Sequence, residues 1–151
     1  MPEQPIGRGM HLQKNIIARW LEEKAYQIPI FTPRTLREDH KTHRDDAIFV
    51  TEQLTHLRPD IFVVIAYGKI LPASVLSIPR LGPINVHGSL LPAYRGATPL
   101  QSVFLDAQNT SGITIMLMDE GLDTGPILAQ LTIPLPFTWT VADLIEACKM
   151  Q

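Results

Sequence analysis

"PDIFVVIAYGKILPASVLSIPRLGPINVHG", residues 59 to 88, decides the fold class. Ile61 to Ala66 is an unbroken apolar run rich in β-branched residues, the pattern of a strand covered on both faces in a parallel sheet. Pro72 suits the start of a short helix reaching Leu76, because its fixed φ fits a first turn and its missing N–H would be unpaired there anyway. "GPINVHG", 82 to 88, supplies the next strand. A strand, a helix and a strand in that order predict an α/β domain with a doubly wound, mainly parallel sheet.

On the C-terminal side, Thr98 as N-cap and Pro99 behind it predict a helix from Pro99 to about Ala107. "GITIMLMD" (112–119) and "GPILAQLTIPL" (125–135) read as two strands, joined by "EGLDTG", a connection of hairpin length with two glycines. Met116 and Met118 alternate on the first of these, as gap-filling core residues do. Thr140 and Asp143 have capping-box spacing before a closing helix that still runs where the chain ends. On the N-terminal side, "PEQPIGRG" reads as a loop and Leu12, Ile16, Ile17, Trp20 and Leu21 predict a helix over 11–25. "IPIF", 28–31, reads as a brief parallel strand, and Ile48, Phe49, Leu54 and Leu57 predict a second helix after a charged, solvated segment.

The 151 residues are enough for one domain with a sizeable core. A chain that is 45% hydrophobic and 19% charged, with mean hydropathy +0.07, fits a soluble globular protein and not a disordered one. Net charge is −2, so no global basic field marks a nucleic-acid binder and any such contact must be local. A single cysteine, Cys148, excludes an intrachain disulfide and fits a reducing compartment. Residues 1–14 hold no apolar leader segment, and Ile61 to Tyr67 is too short to span a bilayer. The expectation is a cytoplasmic protein with no membrane partner. No P-loop and no G-x-G-x-x-G pattern supports a nucleotide cofactor.

Asn85 and His87 are two apart on a strand, so both side chains point to one face. In open α/β sheets ligands sit beyond the carboxyl ends of the strands, where this pair lies, followed by Gly88. Tyr67 and Gly68 end the neighbouring strand and offer their turn to the same crevice. Asp123 sits in a glycine-flanked turn, where backbone N–H groups hold carboxylates. An amide donor, an imidazole and a carboxylate suit acyl-type transfer in which the substrate, an amine, supplies the nucleophile. Two readings stand at this point: a hydrogen-bonded structural pair with a turn aspartate, or a site. His40 and His43, beside Asp39, Asp45 and Asp46, have the spacing of two metal ligands, but a segment so charged reads as a solvated face, and no metal is expected.

"NVHGSLLPAYRGATPLQ" (85–101) and "GITIMLMDEGLDTGPIL" (112–128) resemble the two signature stretches of the folate-dependent formyltransferases, with fitting separation. "AYGKILP" (66–72) resembles the segment that precedes them, and "QPIGRGMHL" (4–12) an arginine-containing loop near the N-terminus. The resemblance spans nearly the whole chain and is strongest to the branch that formylates initiator methionyl-tRNA.

The resemblance implies a Rossmann-like formyltransferase fold, with Asn85, His87 and Asp123 as the catalytic Asn, His and Asp. Ser89, Leu90, Leu91 and Pro92, with Tyr67 and Gly68, would line the site of the co-substrate 10-formyltetrahydrofolate. Arg8 would approach the acceptor end of the tRNA. The family's first strand and Gly-rich turn would precede residue 1, leaving the fold N-terminally incomplete. A C-terminal β-barrel domain is absent from residues 1–151, and "MHLQKNII" lacks the usual proline-containing stretch. Three alternatives accompany this reading: transfer to another amine, on a sugar nucleotide or glycinamide ribonucleotide; hydrolysis of the formyl-folate; and a catalytically inactive fragment.

Overall fold

Asn15 decides where the first long element begins. Its side-chain oxygen accepts the backbone N–H of Ile17 at 2.8 Å, so helix α1 runs over Ile16–Glu23 and not from residue 11. Residues 11–13 instead form a strand. Among residues 4–6, 11–13 and 15–151, which the computed structural model describes, β1 (Gln4–Ile6) and β2 (His11–Gln13) pair antiparallel with Pro5 opposite Leu12. The expected strand at 28–31 does not form; Pro29 in its centre lacks the N–H a ladder needs. Helix α2 covers Arg44–Leu57, and its buried residues Ala47 and Val50 lie one turn apart. Two compact units divide the chain, Met1–His56 and Leu57–Gln151.

The second unit is a four-stranded sheet in the order β3-β4-β5-β6. Strand β3 (Phe62–Ile65) leads through α3 (Ala73–Leu76), which Pro72 caps, to β4 (Pro83–His87). β3 and β4 are parallel, with Val64 opposite Asn85 and Ile65 opposite Val86. Helix α4 (Pro99–Leu105) begins at Thr98 with Pro99 behind it, as its sequence predicts, and stops two residues short of Ala107.

The next pairings depart from a mainly parallel sheet. β5 (Thr110–Leu117) runs antiparallel to β4, and β6 (Ile127–Pro134) antiparallel to β5. With His87 opposite Thr114 and Ile84 opposite Leu117, β5 enters the sheet at the end where β4 stops. The β5–β6 antiparallel pair follows from the hairpin-length connection. Strand β3 is not covered on both faces either: Val63 and Ile65 are 58% and 63% exposed. An unbroken apolar run does not separate a doubly buried strand from one with a bare face.

Val103 of α4, Ile133 and Leu135 at the end of β6, and Leu144 of α5 (Val141–Lys149) form the core cluster. Met116 is buried and Met118 half-buried. Thr140 and Asp143 complete the capping box: Asp143 Oδ2 accepts from Thr140 N and Oγ1, both at 2.7 Å. These bonds, the hydroxyl's first, hold the Asp143 carboxyl below its ordinary pKa. A depressed carboxyl stabilises the fold above its unfolded pKa of about 3.9 and loses that contribution as pH falls through the lower folded value. Thr140→Ala is expected to cost about 1 kcal/mol near neutral pH. Thermal melts should show the gap to wild type narrowing in acid.

Candidate active site

Asn85 and His87 leave β4 on one face, and the connection between β5 and β6 brings Asp123 to both. Asp123 Oδ1 accepts from Asn85 Nδ2 at 3.3 Å, and Oδ2 lies 3.6 Å from His87 Nδ1. The same Oδ2 accepts the backbone N–H of Gly96 at 2.8 Å, tying the loop after β4 to the carboxylate. Two backbone features make this possible. Asp123 stands in the left-handed region at φ 51°, which an aspartate tolerates better than most residues, and Gly96 has φ 99°. A Cβ on Gly125 would meet the Leu117 carbonyl, so the glycine lets the connection fold tightly against the end of β5.

His87 is only 6% exposed and both ring nitrogens have a neighbour. Nε2 lies 2.9 Å from the Tyr94 carbonyl, which only accepts, so Nε2 carries the hydrogen. Nδ1, facing Asp123, is therefore the nitrogen that can take up or release a proton. Asn85 spends one amide hydrogen on Asp123 and keeps a second for a ligand oxygen. An amide donor and a proton-carrying imidazole, set around one carboxylate, can stabilise and protonate a developing oxyanion.

Ser89 and Leu91 are buried and turned inward, the Ser89 hydroxyl donating to the Ala93 carbonyl at 2.6 Å. Leu90 is half-buried and Pro92 exposed, so they are the members of the stretch with surface to offer. Tyr67 and Gly68 follow the end of β3 directly, after Ala66 has turned the chain at φ 46°. Burial raises the Tyr67 phenol above its ordinary pKa, and Gly68 turns at φ 70°. An open cleft of about 620 Å³ is lined by Leu76, Ser77, Met118 and the 119–121 turn, and Met118 N donates to the carbonyl of Pro83 at the start of β4. Arg8 lies outside the described residues.

Two polar residues that the sequence reading passes over belong to this neighbourhood. Thr114 on β5 is fully buried opposite His87, and Gln130 on β6 is opposite Thr114. Directly opposed residues share a face, so the three form one polar row across the sheet. The available signal was a threonine in line with Met116 on the core-facing side of a strand, since a buried hydroxyl there needs partners.

Residues 1–151 match the family described as "Formyl transferase". The chain belongs to the formyl transferase family. It is 45% identical over 143 residues to a methionyl-tRNA formyltransferase of Legionella pneumophila (strain Paris), an alignment covering 95% of this chain and 42% of that protein. It is 49% identical over 130 residues to one of Magnetococcus marinus, covering 86% of this chain and 38% of the relative. The chain thus spans about two fifths of the length of these curated relatives. Among solved structures, a phosphoribosylglycinamide formyltransferase of Bacillus halodurans superposes with TM-score 0.66 at 27% identity, covering 75% of this chain and 58% of that one. A formyltetrahydrofolate deformylase of Pseudomonas syringae shares the fold, with TM-score 0.72 at 24% identity, covering 87% of this chain and 42% of that one.

No helix among the described residues is long and apolar enough to cross a membrane. Nor do the described residues include a group of three or more His, Cys, Asp or Glu placed to hold a metal. His40 and His43 stack with ring centroids 5.1 Å apart, and His40 Nδ1 is already occupied by the backbone N–H groups of Thr42 and His43.

Proposed function

We propose that residues 1–151 belong to the catalytic domain of an enzyme that moves the formyl group of 10-formyltetrahydrofolate to the amino group of methionyl initiator tRNA. The convergence of Asn85 and His87 on the Asp123 carboxylate carries this reading, and the names of the curated relatives support the acceptor. The methionyl amine attacks the formyl carbon, a C–N bond forms, and the carbonyl electron pair moves onto oxygen. Asn85, through its spare amide hydrogen, and His87, through Nδ1, stabilise that oxyanion. Collapse breaks the bond to N10 of the folate, and the proton lost by the amine ends on N10, with Asp123 and His87 passing it across. Leu90 and Pro92, with the Tyr67–Gly68 turn, give the donor a surface to lie on. Arg8 is assigned to the tRNA on resemblance alone, and the working compartment is where translation begins, a bacterial cytoplasm or an organellar matrix.

The fold neighbour that acts on a glycinamide ribonucleotide favours a second acceptor with the same chemistry. Incubating the chain with 10-formyltetrahydrofolate and charged initiator tRNA is expected to yield formyl-methionyl-tRNA, and excess glycinamide ribonucleotide should not compete. Transfer to the ribonucleotide with none to the tRNA would overturn the acceptor, and release of formate alone would identify a hydrolase.

A further inference from the structure

Thr114 Oγ1 uses its full bonding capacity on one loop and one side chain. It donates to the Ser89 carbonyl at 2.6 Å and accepts from Leu91 N at 3.1 Å and Gln130 Nε2 at 3.0 Å. Gln130 Nε2 gives its other hydrogen to the Leu91 carbonyl at 2.8 Å. His87, in the same row, holds the far end of this loop through the Tyr94 carbonyl. Every strand from β4 to β6 thus contributes one polar side chain to the backbone of residues 89–94.

We propose that Thr114 and Gln130 are positioning residues for the formyl donor. They set the height of residues 89–92 above the sheet, and so the shape of the surface that the folate meets. The loop also ends on Tyr94, whose carbonyl fixes the tautomer of His87, so the row couples donor binding to the orientation of the imidazole. This inference rests on the reading of residues 89–92 as part of the folate site. Gln130 is the informative member, because it stands on the exposed β6 and its side chain carries no core packing.

The test is equilibrium binding of 5-formyltetrahydrofolate, a stable stand-in for the donor, alongside thermal melts. Gln130→Leu keeps an aliphatic side chain one atom shorter that donates no hydrogen bond. It is expected to weaken folate binding about tenfold, the effect of losing two hydrogen bonds to a binding loop, with a melting temperature within about 3 °C of wild type. Thr114→Val is expected to weaken binding further, and Thr114→Ser, which keeps the hydroxyl, to restore it. Folate affinity unchanged in Gln130→Leu overturns the proposal, as does an affinity loss explained by an equal loss of folded protein. A wild-type chain that binds no folate overturns the underlying reading of residues 89–92, and this proposal with it.

Discussion

Replacing His87 with alanine is expected to lower formyl transfer about a thousandfold, the scale on which a positioned acid–base group and one oxyanion donor act. The substitution removes the imidazole that faces Asp123, and the Asn85 amide has no labile proton to replace it. The loss should fall on kcat more than on KM for the folate, because residues 89–91 keep their bonds to Thr114 and Gln130. Some stability is lost as well. The Tyr94 carbonyl gives up its 2.9 Å donor and retains only the Ser89 hydroxyl at 3.4 Å. A melt recorded beside the rate measurement separates the two effects. Transfer at the wild-type rate in a folded His87→Ala chain would remove His87 from the mechanism.

The largest effect on stability is expected from Thr114→Val. Valine fills the same space, so packing is preserved and the change isolates one hydroxyl. That hydroxyl is fully buried and satisfies the Ser89 carbonyl and the Leu91 N–H at once. Leaving both unpaired at about 1–3 kcal/mol each predicts a destabilisation of about 2–6 kcal/mol, a large share of the stability of a domain this size. Denaturant titrations of wild type, Thr114→Val and Thr114→Ser would measure it. Serine should recover most of the loss. A valine variant as stable as wild type would mean that the loop finds other partners when the hydroxyl is gone.

Much of the fold was legible because its signals are local. Thr98 and Pro99 at the start of α4 and the Thr140–Asp143 box at the start of α5 each act within one turn of chain and start the helix where the sequence says, while Pro72 stands one residue ahead of α3, as its N-cap and not its first residue. The strands β3 to β6 are readable for the same reason, since apolar runs and turn residues are short-range features. Where a signal was ambiguous, the local reading went astray. Leu12 shares a helical period with the apolar residues of α1, yet Asn15 caps the helix after it. The run at 28–31 is apolar enough for a strand, but its proline removes a ladder donor.

By itself, then, the sequence determined the elements from β3 to α5, the shared face of Asn85 and His87, and, through its resemblance to a family, which distant aspartate to watch. Only the tertiary structure decided that Asp123, 38 residues from Asn85, accepts from it, and that Gly96 locks onto the same carboxylate. It alone set β5 antiparallel to β4 and drew His87, Thr114 and Gln130 into one row. The reason is physical. A cap or a strand face is specified by residues within a few positions of one another. A row across a sheet exists only once the register of each strand against the next is chosen, and a threonine in a strand looks the same in sequence whether its hydroxyl faces water or holds a loop.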